Sequence, residues 1–390
     1  GDLFAIVWSA SDQRLYGLNA SGRSPYDWSL EAAREMGLDS IPGRSPLSWS
    51  VPGCVSGWDL LLSRFGNKPL AEVLAPAIDY ARTGFPLTPI IAASWGFSAT
   101  NHPTLGETFL QDGARPKFGD LVTNPQLADF YAILARDGAR AFYEGEVAER
   151  IVRYSEANGG RFSMRDFSEH AANWVDPVGS TYRGHAVWEI PPNGQGIATL
   201  QILNILENFD IGDLEPNGAQ HLHLIAEAKK LAFEDRAVYY ADMDFAEVPV
   251  DWLISKAYAQ ERAAAIDPNR ANNSVRPGDY EGDTVYLCAA DSQGNVVSFI
   301  QSIYAGWGSH IVPDKLGFPL QNRGESFALD PNHRNKLEPH KRPFHTIIPA
   351  FVTVDGRPRF AYGVMGGDFQ PQGQAQVLMN LVDFGMTPQQ

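Results

Sequence analysis

Thr284 opens an apolar run, Thr284-Val285-Tyr286-Leu287-Cys288-Ala289-Ala290, directly after the polar residues 266–283 with their Asp267-Pro268-Asn269-Arg270, Pro277-Gly278 and Glu281-Gly282-Asp283. A hydroxyl at the head of a strand can act as a nucleophile only if a base stands beside it, because an alcohol is a poor nucleophile near neutral pH. Threonine is also a common strand opener, and the hairpin alone supports no more than that. Rival chemistries lack their signatures. No G-x-G-x-x-G follows a strand and no G-x-x-x-x-G-K-[ST] is present. No G-x-S-x-G turn appears either. His221 and His223 stand two apart on an expected helix, so they point to different sides and cannot readily share a metal ion. Cys54 and Cys288 are the only cysteines, too few and too far apart for a disulfide framework or a metal cluster. Both sit among apolar or small residues and read as buried reduced thiols, which favours a reducing compartment such as the cytoplasm.

The elements that must hold Thr284 are legible in outline. Leu3–Trp8 and Arg14–Leu18 form a hairpin around Ser11-Asp12-Gln13. Helices are expected over Gly57–Phe65 and over Leu70–Arg82, where Pro76 should kink or divide the second. Residues 83–120 read as surface loops. Helices follow over Asn124–Asp137 and Gly145–Asn158. A strand, His185–Ile190, leads through Pro191-Pro192-Asn193-Gly194-Gln195-Gly196 into a helix from Ile197 to Leu206. The clearest helix, His221–Tyr240, repeats apolar residues at helical spacing and offers Lys230 and Glu234 as an i,i+4 pair. Thr284–Ala290 and Val296–Tyr304 flank the turn Asp291-Ser292-Gln293-Gly294-Asn295, a second hairpin. Strands Ile348–Val354 and Arg359–Val364 and a helix over 375–384 complete the chain. This mixed order implies α/β layers without saying which.

The 390 residues carry a net charge of −15 with no long run of Lys or Arg, which argues against a nucleic-acid partner. No stretch approaches the roughly 18–20 apolar residues that span a bilayer. The chain opens inside an apparent strand, Asp2-Leu3-Phe4-Ala5-Ile6-Val7-Trp8, with no initiator Met. Further segments are therefore expected beyond both ends.

Asp283-Thr284-Val285-Tyr286 with Asp291-Ser292-Gln293-Gly294-Asn295-Val296-Val297-Ser298 resembles the start of the small subunit of γ-glutamyltranspeptidases. Val51-Pro52-Gly53, Phe142-Tyr143-Glu144-Gly145, Glu227-Ala228-Lys229-Lys230-Leu231-Ala232-Phe233 with Asp235-Arg236, Lys341-Arg342-Pro343 and Gly363-Val364-Met365-Gly366-Gly367 resemble other landmarks of that family, in its order and over nearly the whole chain. The resemblance implies a four-layer αββα sandwich of the N-terminal nucleophile (Ntn) hydrolase type. It implies self-cleavage between Asp283 and Thr284, giving fragments 1–283 and 284–390 that together form one composite domain. The freed Thr284 amine, with a pKa near ~8, then serves as base for its own hydroxyl. By the same likeness Ser302 stands where a threonine hydrogen-bonds the nucleophile, and Gly366 and Gly367 supply oxyanion-hole N–H groups. The resemblance further implies that the substrate is an amide of a γ-glutamyl or related, glutaryl-like acyl group, in the chemistry of glutathione metabolism. No metal or organic cofactor is called for. The partners are the small-molecule amide and the two fragments for each other, with a homo-oligomer left open. The alternative is an unprocessed, non-catalytic relative that binds small acyl compounds or a partner.

The substrate-binding positions depart from the family pattern. Where the family grips an α-amino group with Asn, Gln or Glu, and Asp, this chain has Tyr304, Arg323 and Ser326. The usual serine pair is His345-Thr346, and Asp368 replaces a serine after the glycines. Arg23 is the candidate for the arginine that holds a substrate carboxylate, although it stands two residues before Pro25 instead of four. Three readings stay open. Arg323 binds a carboxylate or carbonyl on an acyl group without an α-amine; or Asp368 or Glu325 restores the missing anion; or Arg323 pairs with one of these acids structurally.

Overall fold

A computed structural model describes residues 1–95, 103–272 and 283–390. Strands from the start of the chain and from beyond residue 282 meet in one sheet. Strands β1 (Asp2–Ser9) and β2 (Arg14–Ala20) form the expected hairpin, and β3 (Asn173–Val175) joins the outer side of β2. On the other side of β1 lie β7 (Val296–Tyr304) and then β6 (Asp283–Ala290), so the order is β3-β2-β1-β7-β6. The second sheet contains β4 (Val178–Tyr182), β5 (His185–Glu189), β8 (Ala350–Val354) and β9 (Arg357–Tyr362) in the order β9-β8-β5-β4. All pairings in both sheets are antiparallel.

The sheets stack face to face through Phe4, Ile6, Ile300, Ile190, Ile347 and Phe351, which form one apolar cluster. Every residue of β1 is buried, because its other face (Leu3, Ala5) meets Cys54 and Trp58 of helix α1 (Cys54–Phe65). Strands covered on both faces read as unbroken apolar runs, which is why β1 lacks alternation. The second sheet turns Val187, Ala350 and Val352 outward against α5 (Gly196–Leu206), α6 (Ala219–Tyr239) and α7 (Gln370–Val382). All eleven residues of α5 are buried, as its apolar sequence on every side requires. The layers are therefore helix, sheet, sheet, helix, as the family resemblance implies. A further helical cluster, with α2 (Leu70–Thr83), α3 (Pro125–Asp137) and α4 (Glu146–Ala157), packs around Phe130, Leu134 and Ile151.

Several local expectations are corrected. Pro76 does not divide α2, which runs unbroken from Leu70 to Thr83. Residues 83–120 contain short helices, Pro89–Ser94 and Pro103–Phe109, as well as loops. The last strand and helix begin earlier than read, at Arg357 and Gln370. Lys230 pairs with Glu227, and Glu234 meets Arg262 at 3.3 Å, so the i,i+4 pair on α6 does not form. Cys54 is buried but Cys288 is exposed, because β6 is an edge strand. Most of the polar stretch 266–283 lies outside the described residues.

One buried acid stands out. Glu189, at the end of β5, is fully buried and neither carboxyl oxygen has a hydrogen-bond partner among the described residues. Its carboxyl crowds Gly196 so closely that a Cβ there would lie 2.8 Å from Oε2. Burial raises the Glu189 pKa well above the usual carboxylate value. The folded form thus keeps this proton to a higher pH than the unfolded chain does. Its contribution to stability is full below the unfolded value and is lost as pH rises toward the folded one. Glu189→Gln should remove that decline. Urea denaturation from about pH 5 to about pH 8 should give a variant-minus-wild-type stability that grows with pH; a difference that stays flat contradicts the assignment.

Candidate active site

The head of β6 is irregular. Asp283 lies opposite Tyr304 while Thr284 lies opposite Ser302, which leaves Ile303 as the extra residue of a bulge on β7. Tyr304 takes φ 78°, in the left-handed region that side-chain-bearing residues rarely occupy. Its N–H donates to Ser302 Oγ at 2.9 Å, and Thr284 Oγ1 donates to the same oxygen at 3.3 Å. Thr284 is partly exposed whereas Ser302 is buried, so a held hydroxyl reaches the surface of the site.

Asp2 lies directly opposite Ser302 on β1. By strand alternation Thr284, Ser302 and Asp2 all face the second sheet, on the side of Phe4 and Ile300. The Asp2 carboxylate is fully buried and accepts from Gly22 N (3.0 Å), Gly53 N (3.1 Å) and Gln321 Nε2 (2.9 Å) through one oxygen. Its other oxygen meets His345 Nε2 at 3.0 Å. Burial pushes the Asp2 carboxyl up, but the hydrogen bond and charge of His345 and the Gln321 amide outweigh it, and the net shift is down. His345 is driven down to about 4 by burial, with the Arg323 charge adding to the drop and Asp2 opposing it. The ring is neutral near pH 7. Ile347 N–H donates to Nδ1 (3.3 Å), which leaves Nε2 as the protonated nitrogen facing Asp2.

Tyr304, Arg323 and Thr346 meet beside this pair. Arg323 is fully buried. Its guanidinium carbon stands 3.9 Å from the centre of the Tyr304 ring, and Nη1 donates to Thr346 Oγ1 at 2.9 Å. Burial pushes the Tyr304 phenol above its usual range, against the pull of the Arg323 charge and the Ser326 hydroxyl. The glycine pair follows β9. Gly366 and Gly367 take φ 119° and 55°, and at such angles a side chain is strained. The Gly367 carbonyl is held by Gln195 Nε2 at 2.9 Å.

The site therefore brings together Thr284 with Ser302, Ser302 with Tyr304, Tyr304 with Arg323, and Arg323 with Thr346. Three anticipated residues are engaged elsewhere. Arg23 pairs with Asp242 (3.1 Å) and Asp244 (2.8 Å) and donates to the His340 carbonyl (3.2 Å). Asp368 pairs with Arg236 at 2.8 Å, and Glu325 accepts from Asn322 at 2.7 Å. Neither acid forms an ion pair with Arg323, so the purely structural pairing, one of the three open readings, is not seen. Asp2, Gln195, Arg236 and Gln321 were missed in the sequence. The signal for Asp2 was an acid heading an otherwise apolar strand; Gln195 lay hidden in a turn of Pro and Gly.

A cavity of about 280 Å³ opens beside Thr284 and Ser302, with Trp58, Phe130, Tyr131 and Phe318 among its walls. None of the described residues lining it is charged. Among the described residues no group of three or more His, Cys, Asp or Glu could hold a metal ion, and no helix is long and apolar enough to cross a membrane.

The family model described as gamma-glutamyltranspeptidase matches residues 1–390. The chain is 39% identical over 397 residues to the glutathione hydrolase-like YwrD proenzyme of Bacillus subtilis, covering 100% of this chain and 74% of that protein. It is 36% identical over 399 residues to the oxamate amidohydrolase proenzyme of Klebsiella pneumoniae, again covering 100% and 74%. Among solved structures it superposes on cephalosporin acylase from Bacillus halodurans with a TM-score of 0.90 at 39% identity, covering 99% of this chain and 72% of that one. With a whole-chain match and relatives of this similarity, the chain belongs to the γ-glutamyltranspeptidase family.

Proposed function

We propose that the chain cuts itself between Asp283 and Thr284 and then hydrolyses amides of a small acyl group that lacks an α-ammonium and ends in a carboxylate or carbonyl, a glutaryl-like group among them. The observation that carries this reading is the Thr284 hydroxyl held on Ser302 at the bulged head of β6. In the uncut chain Thr284 Oγ attacks the Asp283 carbonyl carbon. The C–N bond breaks as the nitrogen takes up a proton, and water hydrolyses the resulting ester. Thr284 is then the first residue of fragment 284–390 and owns a free α-amine. That amine accepts the hydroxyl proton as Oγ attacks the substrate carbonyl, and returns it to the departing amine. The acyl-Thr284 ester is then hydrolysed by water. Gly366 and Gly367 are the backbone donors for the tetrahedral oxyanion in this scheme, where one such donor is typically worth about 3–4 kcal/mol.

Arg323 supports the acyl preference. It is a buried cation, capped by the Tyr304 ring and bonded to Thr346. An ammonium brought to ~4 Å of it would be repelled by about 4 kcal/mol at an effective dielectric near 20. A carboxylate there would be attracted, and a guanidinium presents several donors in a planar fork. Asp368 is already neutralised by Arg236, which weakens its candidacy as an anion for a γ-glutamyl ammonium. The proenzyme and acylase names of the relatives accord with a self-cut amidase.

Two outcomes test this. The purified wild-type chain should run as two fragments with Thr284 at the new N-terminus, while Thr284→Ala stays whole and inert. A wild type that remains intact after long incubation leaves a non-catalytic acyl-binding relative as the better reading. Glutaryl-p-nitroanilide should exceed γ-glutamyl-p-nitroanilide by about 100-fold in kcat/KM, equivalent to about 3 kcal/mol. Arg323→Gln should erase most of that ratio, and a wild type that prefers the γ-glutamyl compound defeats the acyl assignment.

A further inference from the structure

Gln195 is fully buried and ends the turn before α5. Its Nε2 donates to two carbonyls, Thr346 O at 2.7 Å and Gly367 O at 2.9 Å. Its Oε1 accepts from Arg236 Nη1 at 2.6 Å. Both amide hydrogens and the carbonyl are thus used. The partners also settle which end is which: the flipped amide would set NH₂ against a guanidinium and oxygen against two carbonyls. Arg236 in turn holds Asp368, the residue after the glycine pair, at 2.8 Å.

The two carbonyls belong to the two halves of the site. Thr346 is the hydroxyl partner of Arg323, on the acyl-binding side. Gly367 belongs to the pair assigned to the oxyanion. The Gly366-Gly367 turn has no side chain of its own with which to fix its position, and its dihedrals lie where glycine is freest to move. We propose that Gln195, with its orientation anchored by Arg236, is the positioning residue that sets the glycine-pair turn against the His345-Thr346 segment, and so aims the oxyanion donors at the acyl carbonyl that Arg323 helps to place. The inference rests on the proposed amidase reading. Gln195 touches neither the substrate nor the reacting atoms; it acts through the Gly367 and Thr346 backbones.

Gln195→Glu keeps the size and the acceptor for Arg236 but loses the donors, so two carbonyls face a carboxylate. Donors displaced by a fraction of an ångström weaken the transition state and leave ground-state binding nearly intact. The expected result is a kcat lowered by about 10–100-fold with KM close to wild type. An alkylboronic acid bearing a terminal carboxylate, which forms a tetrahedral adduct on Thr284, should lose affinity by the same factor. An unchanged kcat, or a lowered kcat with unchanged boronic acid affinity, overturns the proposal. If Gln195→Glu does not fold, Arg236→Gln carries the test: it leaves the Gln195 donors but frees their anchor, and a kcat equal to wild type would overturn the proposal, whereas a several-fold loss in step with boronic acid affinity supports it. The wild type is measured first. If it neither cuts itself nor turns over any amide, the amidase reading fails; if it does both and the variants match it, only the role of Gln195 fails.

Discussion

β6 could pair with β7 in straight register, and Asp283 and Thr284 would then be two ordinary residues of an edge strand. One residue, Ile303, is left over instead, and the ladder changes step between Asp283 and Thr284. A one-residue slip in a strand exchanges its faces, so the bulge decides which side chains look inward. It leaves Thr284 over Ser302, and sends Tyr304 through a left-handed backbone toward Arg323. Such a conformation costs about 1–3 kcal/mol and persists only where its surroundings hold it. Here the Ser302 hydroxyl, bonded to the Tyr304 N–H, is one of those restraints.

Around that step the charges are arranged in depth. Asp2 is a buried carboxylate saturated by two backbone N–H groups, an amide and a neutral imidazole. Arg323 is a buried cation covered by an aromatic face. His345 stands between their influences and stays uncharged because burial and Arg323 outweigh Asp2. A buried charge with poor partners would be expensive. Asp2 is hydrogen-bonded at both oxygens, and Arg323 is bonded to Thr346 and stacked on Tyr304.

The architecture was readable wherever local pattern and burial agree. The β1–β2 and β6–β7 hairpins and the long α6 helix declare themselves through apolar spacing and turn residues. The sheet order does not, because β1 meets β7 across nearly three hundred residues of chain and no local pattern encodes that pairing. Thr284 and the glycine pair were singled out through family landmarks. Residues off the family pattern were harder. Arg23 looked available in sequence, yet Asp242 and Asp244, more than two hundred positions away, claim it. Asp368 is claimed by Arg236 in the same way. Cys288 looked buried because its neighbours in sequence are apolar, whereas the exposure of an edge strand is a property of the sheet.

Each sheet draws strands from both sides of the Asp283–Thr284 bond. In the first, β6 and β7 lie against β1; in the second, β8 lies between β5 and β9. Neither portion contains a complete sheet, and neither can close the sandwich core by itself. Cutting the bond therefore leaves a two-chain molecule whose halves are mutual scaffolds. Once such a molecule is unfolded, its recovery becomes a second-order encounter between two incomplete partners, so a cut that released the amine would also make the fold hard to regain.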